Sequence, residues 1–160
     1  MKTTEKTTID RIDRKILRLL QENGRISNAA LSKAVGLSAT PCLERVRKLE
    51  RMGIIEGYTA RINPDKLGSP LLVFVEITLS RTSSDAFAEF SEAARKTDEI
   101  LECHLVSGDF DFLLKARVAD MAAYRKLLGE TLLNMPGVNE SRTYVVMEAV
   151  KQDNKVLIKG

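Results

Sequence analysis

The chain has 160 residues, of which 44% are hydrophobic and 29% charged, and its formal net charge is +3. This apolar fraction is sufficient for one ordinary domain or two small ones, and it excludes a disordered chain. No apolar run approaches membrane-spanning length, the start lacks the apolar core of a signal peptide, and the two cysteines show no pairing pattern. We therefore expect a cytoplasmic protein with no membrane partner and no disulfide bond.

The charge is divided unevenly along the chain. Residues 1–64 carry 13 Lys and Arg against 7 Asp and Glu, a net of +6, whereas residues 65–160 carry 12 against 15, a net of −3. Nucleic-acid affinity rests largely on Lys and Arg displacing counterions from phosphate. Only the first part of the chain is therefore expected to bind nucleic acid.

Helical spacing of apolar residues predicts three helices in the first part. The first covers 10–22, and the second covers 27–35 and is closed by Gly36. A three-residue turn then leads to the third helix, which begins near Ser38. This is the layout of a helix-turn-helix, here about 28–47, whose second helix lies in the major groove of double-stranded DNA.

The third helix has an apolar stripe and a polar face. At 100° per residue Cys42, Val46 and Leu49 fall on the stripe, while Arg47 and Lys48 point outward and Arg45 lies on the flank. By itself this pattern also fits an amphipathic surface helix with a solvated basic face, but the preceding helix and turn favour a DNA-reading helix. The candidate DNA-binding residues are Ser38, Thr40, Pro41, Glu44, Arg45, Arg47, Lys48 and Arg51.

The residues after the third helix predict a wing and then a domain boundary. Two short strands around Gly57 are expected over 54–62, which completes a winged helix-turn-helix domain over 1–62. Two prolines and a glycine within eight residues predict a linker over 63–70.

Beyond the linker the apolar period changes from helical to alternating. Strands are predicted over 71–79, 100–107, 110–118 and 143–148, helices over 84–97 and 121–134, and a short final strand over 155–158. The order βαββαβ predicts a ferredoxin-like domain over 71–160, so the fold class is α+β. Leu72, Phe74 and Leu113 would lie on the sheet face without helices, with Val146 or Met147 beside them according to the register. Such exposed apolar area predicts self-association into a homo-oligomer.

Enzymatic chemistry is poorly supported. Asp109 and Asp111 flank a glycine turn, where carboxylates more often hold the turn than form an acid/base pair. Cys103 and His104 are neighbours on a predicted strand and would point to opposite faces. One histidine and two distant cysteines do not supply a zinc site. We expect no catalytic residue, no metal and no cofactor.

A series of short segments spans the chain from about Asp10 to its end. They are Asp10-Arg11-Ile12-Asp13, Gly24-Arg25-Ile26-Ser27, Thr40-Pro41-Cys42-Leu43-Glu44-Arg45-Val46, Leu71-Leu72-Val73-Phe74-Val75-Glu76-Ile77, Gly108-Asp109-Phe110-Asp111, Pro136-Gly137-Val138 and Thr143-Tyr144-Val145-Val146-Met147. In number and order they resemble the Lrp/AsnC (feast/famine) family of bacterial and archaeal transcriptional regulators.

The resemblance implies an amino-acid-sensing ferredoxin-like domain joined to the DNA-binding domain. It implies dimers that assemble to octamers or larger discs, wrap DNA in the nucleoid, and respond to a small amino acid bound between sensing domains. It also implies a global regulator that activates or represses genes of amino-acid metabolism. The alternative is an architectural, chromatin-like protein that wraps DNA without an effector response.

Carried over to this chain, the family's effector site implies these residues: Leu105, Gly108, Asp109, Asp111, Met121, Tyr144, Val145 and Val146. The amides of the glycine turn suit a carboxylate, Asp111 suits an α-ammonium group, and the apolar neighbours suit an aliphatic side chain. Leucine or another small apolar amino acid is therefore the expected effector. The alternative role for Asp111 is to brace the turn.

Overall fold

The computed structural model describes residues 9–159, which form two compact units. Residues 9–61 together with 152–159 make the first unit, and residues 62–151 make the second. The expected linker 63–70 contains a 3₁₀ turn over Asp65–Leu67. Within residues 9–159 no helix is both long enough and apolar enough to cross a membrane.

The first unit is built on three helices. α1 spans Arg11–Glu22, α2 spans Asn28–Val35 and α3 spans Ala39–Arg51. The side chains of Asp10 and Ser27 accept hydrogen bonds from amides in the first turns of α1 and α2, at 2.8 and 3.2 Å. These caps satisfy donors that have no partner within the helix. The three predicted helices are confirmed.

Two left-handed glycines end α2 and α3. Gly36 has a φ of 76° and Gly53 a φ of 66°, a region that only glycine adopts without steric cost. The turn after Gly36 is closed by the Leu37 amide, which donates to the Ser32 carbonyl at 2.9 Å. α3 can therefore start after only three intervening residues, as the helix-turn-helix requires.

An apolar cluster holds the three helices together. Ile16 of α1 and Leu31 of α2 are buried against Cys42, Val46 and Leu49 of α3. The stripe predicted on the third helix is confirmed. Because this stripe faces the cluster, the polar side of α3 faces outward.

The segment after α3 differs from the prediction of a two-stranded wing. Residues 54–62 form no strand in the structure. Ile54 and Ile55 instead pack against the helical cluster, and the Tyr58 hydroxyl donates to the Glu50 carboxylate at 3.0 Å. An isolated pair of short strands is only marginally stable, so side-chain contacts to the helices decide the conformation here.

The end of the chain also differs from the prediction. Residues 152–159 belong to the first unit rather than to the ferredoxin-like domain, and 155–158 form no strand. The Gln21 side chain donates to the Val156 carbonyl at 3.1 Å and accepts from the Val156 amide at 2.7 Å. A side-chain amide of α1 thus makes the hydrogen bonds that a neighbouring strand would make, and Ile158 packs against the apolar cluster.

The second unit is a four-stranded antiparallel sheet with helices on one face. Its elements are β1 (Leu71–Leu79), α4 (Ser84–Arg95), β2 (Ile100–Leu105), β3 (Phe112–Val118), α5 (Met121–Lys126) and β4 (Val138–Val145). The strands lie in the order β2-β3-β1-β4, with antiparallel neighbours. This is a ferredoxin-like βαββαβ domain, which confirms the predicted fold class.

The second helix of this domain is less regular than the predicted helix over 121–134. After α5 the backbone widens into a π turn over Leu127–Thr131 and tightens into a 3₁₀ turn over Leu132–Asn134. Leu127 and Leu132 are five positions apart, and the wider turn lets both be buried against the sheet.

β1 is an inner strand of the sheet, and its alternate side chains point to opposite faces. Val73, Val75 and Ile77 are fully buried beneath the helices. Phe74 points to the opposite face, which we call the open face, and pairs in register with Lys115 and Tyr144. The amide of Val146 donates to the Leu72 carbonyl at 3.0 Å, so Val146 rather than Met147 lies beside Leu72.

Candidate DNA interface and effector site

The outward side of α3 presents most of the candidate DNA-binding residues. Ser38, Thr40, Glu44, Arg47, Lys48 and Arg51 are exposed, whereas Pro41 and Arg45 are partly buried. Arg47, Lys48 and Arg51 form no ion pair with any residue between 9 and 159. These three cations are therefore available to phosphates or base edges.

The start of α3 is fixed by α2 rather than by its own cap. The Ser38 side chain makes no capping hydrogen bond, but the Asn28 side chain donates to the Ala39 carbonyl at 2.9 Å. This bond joins the first residues of the two helices of the motif. It leaves the Ser38 and Thr40 hydroxyls at the exposed start of α3.

Arg45 has a different environment from the other cations of α3. Its Nη1 donates to Asp10 Oδ2 at 2.6 Å and to Asp13 Oδ1 at 2.8 Å, and both acceptors lie at the start of α1. The Asp13 amide and the Arg45 guanidinium lower the pKa of Asp10, and hydrogen bonds to Asp13 and Asp10 raise the pKa of Arg45. This candidate DNA contact is already engaged within the protein.

Sequence reasoning missed Asp10 and Asp13 as partners of Arg45. Their spacing of three residues is that of a capping box, which the structure contains: each side chain accepts from the other's amide. The spacing could have predicted the cap. The pairing with Arg45 spans more than thirty positions and had no local signal.

Four candidate effector residues lie at one end of the sheet. Leu105 is the last residue of β2 and is 58% exposed, and Gly108 and Asp109 are exposed in the turn that leads to β3. Asp111 follows in that turn, next to the end of β1. A shallow cavity of about 90 Å³ opens nearby on the sheet, and Asp109 is the only candidate in its lining. The lining consists of Glu76, Thr78, Asp109, Phe110, Glu140, Ser141 and Arg142.

Asp111 binds the end of β1 with both its side chain and its backbone. Its Oδ2 accepts from the Leu79 amide at 2.7 Å, and its own amide donates to the Ile77 carbonyl at 3.0 Å. The Asp111 carbonyl accepts from the Val106 amide at 2.9 Å and closes the turn. The bracing role is therefore present, and it uses one carboxylate oxygen.

The other four candidates lie at the opposite end of the sheet. Tyr144 and Val145 end β4, and they pair with Phe74 and Val73 near the start of β1. Val146 follows them, and Met121, 49% exposed, begins α5 after β3. Asp111 is next to Thr78 and Val146 is next to Leu72, so about six residues of strand, or about 20 Å, separate the two groups. One chain does not bring the eight candidates together.

The chain joins a helix-turn-helix, with exposed cations on its second helix, to a ferredoxin-like domain. This combination defines a DNA-binding regulator with a separate α+β domain. Residues 9–56 match the family model for a winged helix-turn-helix DNA-binding domain. Residues 72–156 match the model for the Lrp/AsnC ligand-binding domain.

Curated relatives and solved structures give the same assignment. The chain is 68% identical over 151 residues to the leucine-responsive regulatory proteins of Klebsiella pneumoniae and Escherichia coli K12, covering 94% of this chain and 92% of theirs. A transcriptional regulator from Neisseria meningitidis in complex with L-methionine has a TM-score of 0.89 and 37% identity, over 94% of this chain and 97% of that one. An AsnC-family regulator from Agrobacterium tumefaciens has a TM-score of 0.88 and 36% identity, over 93% and 97%.

The chain belongs to the Lrp/AsnC family of transcriptional regulators. It is a ligand-responsive, DNA-binding regulator and not an enzyme. The family resemblance found in the sequence is thereby confirmed.

Proposed function

We propose that this protein is a global, leucine-responsive regulator that activates or represses genes of amino-acid metabolism. The observation that carries the proposal is its 68% identity, over nearly the whole chain, to relatives named for leucine. Function within the cytoplasm, in association with the nucleoid, follows from the DNA-binding role.

α3 reads the major groove in this proposal. Arg47, Lys48 and Arg51 supply contacts to phosphates and base edges, because they are exposed and form no ion pair with another described residue. Ser38 and Thr40 lie at the helix start, where hydroxyl groups commonly contact phosphate or bases. Glu44 is exposed on the same side and can accept a hydrogen bond from cytosine.

The effector site is composite in this proposal and is built from two copies of the chain. Its two groups of candidates lie about 20 Å apart in one chain, farther than a single amino acid can span. A second copy can place its Tyr144 end against the first copy's Asp111 end. The amides around Gly108 and Asp109 then hold the carboxylate of the effector, and the Asp111 oxygen not used by Leu79 holds the ammonium group.

Leucine is the first choice of effector because Leu105, Met121 and Val145 are exposed apolar side chains within the candidate set. Methionine is the second choice, since a structural relative was crystallised with it. Both are unbranched at Cβ and apolar, and the same pocket can accept either.

The assembly is a homo-oligomer of dimers, an octamer or larger, in this proposal. A site shared between copies links effector binding to assembly, because a ligand stabilises the association that completes its site. A protein of this kind wraps DNA around the assembly.

The proposal is tested with a DNA duplex that the full-length protein selects from a random library and a scrambled duplex of the same composition. Binding is followed by fluorescence anisotropy, and assembly by sedimentation velocity, with and without leucine. We expect leucine to change the affinity for the selected duplex or the size of the assembly. Equal affinity for both duplexes, with affinity and assembly size unchanged by any amino acid, would instead identify an architectural protein.

The site is tested with Asp111→Asn, in which the amide oxygen can still accept from the Leu79 amide while the negative charge is lost. We expect folding and DNA binding to stay nearly unchanged and leucine binding by calorimetry to weaken at least about tenfold, as expected for a lost charge-assisted hydrogen bond. Asp98→Asn, an exposed carboxylate outside the candidate set, is the control. Unchanged leucine affinity in Asp111→Asn would exclude this site.

A further inference from the structure

We infer that Arg45 is a positioning residue of the DNA-reading helix and not one of its DNA contacts. The inference rests on the proposed role of α3 in reading DNA. It reverses the expectation from sequence, in which every cation of α3 was a candidate contact.

The geometry joins Arg45 to a complete hydrogen-bond arrangement at the start of α1. The second oxygen of Asp10 accepts from the Asp13 amide at 2.8 Å, and the second oxygen of Asp13 accepts from the Asp10 amide at 3.2 Å. Arg45 Nη1 donates to the remaining oxygen of each carboxylate. The helix cap and the ion pair therefore share the same two side chains.

Burial makes this arrangement costly to break. The side chain of Asp13 is only 2% exposed, and that of Arg45 is 31% exposed. A buried carboxylate needs its cation, because removing one partner leaves an uncompensated charge. If Arg45 moved to a DNA phosphate, Asp13 would keep a buried negative charge without a compensating cation.

The charge of the cluster also opposes a DNA contact. Two carboxylates and one guanidinium give it a net charge of −1, so it does not present a cation to phosphate. Arg47, two positions after Arg45, is exposed and forms no ion pair with a described residue, so it provides the contrast.

The consequence concerns the angle of α3. The Asn28 hydrogen bond fixes the start of α3, and Val46 and Leu49 hold the helix against the apolar cluster, but neither contact links α3 to α1 by a hydrogen bond. Two short hydrogen bonds from Arg45 to the fixed first turn of α1 define one position. The residues that read bases are placed by that position.

The experiment measures the affinity of the full-length protein for the selected and the scrambled duplex, and the ratio of the two. Electrostatic attraction to the backbone largely cancels in this ratio, whereas the placement of α3 does not. The salt dependence of binding to the scrambled duplex is measured in parallel.

Asp10→Asn is the decisive variant. Asparagine caps helices as well as aspartate does, so the start of α1 is kept while the partner charge of Arg45 is lost. We expect Asp10→Asn and Arg45→Ala each to lower the affinity ratio by about tenfold, the size of one charge-assisted hydrogen bond, with the salt slope unchanged. The double variant should be no worse than Arg45→Ala alone, because the two residues act together.

Arg47→Ala is the matched control for a direct contact: a phosphate contact lowers its salt slope by about one unit, and a base contact lowers its affinity ratio. In either case Asp10→Asn should leave the contact made by Arg47 in place. Circular dichroism melts verify folding, and Arg45→Lys, which keeps a cation, replaces Arg45→Ala if the latter unfolds. A fall of about one unit in the salt slope of Arg45→Ala, or tighter binding of both duplexes by Asp10→Asn, overturns the inference. A ratio near one for the unmodified protein instead overturns the proposed sequence-reading function.

Discussion

Some polar side chains in this protein make hydrogen bonds that stabilise the fold, and others are exposed and have no partner within the described residues. Asp13 and Asp111 are both used inside the structure, one by Arg45 and one by the Leu79 amide. Cys42 is fully buried, and burial raises the pKa of its thiol, which therefore stays protonated at neutral pH. The exposed cations Arg47, Lys48 and Arg51 of α3 have no such partner among residues 9–159, and they are the groups that we propose contact DNA.

Arg47→Ala is expected to weaken DNA binding without unfolding the protein, because the Arg47 side chain is exposed. A contact to a base edge should cost about 1–3 kcal/mol and relax the preference at that base pair. A contact to phosphate should weaken all duplexes equally and lower the salt slope by about one unit. Gel-shift titrations at several salt concentrations distinguish the two outcomes, and Arg81→Ala in the second unit is the control. If Arg47→Ala changed neither quantity, α3 would not be the reading helix.

Glu102 on β2 predicts a pH dependence of stability. Its carboxylate accepts from Lys115 Nζ at 2.7 Å and lies 3.2 Å from His104 Nε2, and these groups lower the pKa of Glu102. A lowered pKa in the folded state contributes stability above the unfolded-state pKa, and this stability is lost as the pH falls through the folded-state pKa. Because the side chain is 45% exposed, the effect is at most about 1 kcal/mol.

Glu102→Gln should therefore lower the melting temperature slightly at pH 7. The difference from the parent protein should shrink as the pH falls below the ordinary glutamate range and vanish below the lowered pKa. Calorimetric melts from pH 7 to about pH 3 measure it, a range that spans the ordinary glutamate pKa. Glu99→Gln, exposed and without an ion pair in the described residues, is the control. A difference that stays constant across this range would contradict the assignment.

At the scale of elements, the helices and strands are regular except where tertiary contacts require otherwise. The π turn after α5 lets two leucines face the same core. Residues 152–159, which we call the tail, lie along α1 and form no strand. The Gln21 side chain supplies the hydrogen-bond partners of both the amide and the carbonyl of Val156. Arg18 and Glu22 of α1 add bonds to the Ile158 carbonyl and to Lys155.

Gln21→Ala is expected to loosen the tail, because it removes both hydrogen bonds to Val156. Each bond contributes about 0.5–1.5 kcal/mol at most, and less where water competes. Limited trypsin digestion should cut after Lys155 several times faster, while the helical circular dichroism signal is retained. Gln152→Ala, which removes an exposed side chain of the same type, is the control. Equal digestion rates would show that Gln21 does not hold the tail.

At the scale of the whole molecule, the open face of the sheet and the division of charge lead us to expect different partners for the two units. The net positive charge lies in residues 1–64, and apolar side chains such as Phe74 and Tyr144 lie on the open face of the second unit. Phe74 is partly exposed and Tyr144 is 45% exposed, and uncovered apolar area of this kind is typical of an interface. The separation of the candidate effector residues into two groups at opposite ends of the sheet is a second reason to expect that copies of the chain associate.

Phe74→Glu is expected to shrink the assembly, because burying an unpaired carboxylate in an interface is costly. Sedimentation velocity of the full-length protein at micromolar concentration should show smaller species than the parent. Ala88→Glu, which adds the same charge on the exposed side of α4, should leave the size unchanged. Assemblies of parental size in Phe74→Glu would mean that the open face is not the interface.

Much of the fold could be predicted from local sequence. The helix stripe of Cys42, Val46 and Leu49, the alternation along β1 and the left-handed glycine at Gly36 all depend on residues a few positions apart. Periodicity and steric preference act at that range, so they are readable without the fold. The family resemblance was carried by such segments as well.

Only the tertiary structure decided the features that depend on distant residues. It engaged Arg45 with Asp10 and Asp13, placed the tail against α1, left residues 54–62 without strands and put Val146 beside Leu72. The sequence therefore identified which face of α3 is turned outward and which residues on it are charged. Which of those charges remain free was determined by the contacts between elements, because a pair distant in sequence forms only when packing has brought its members together.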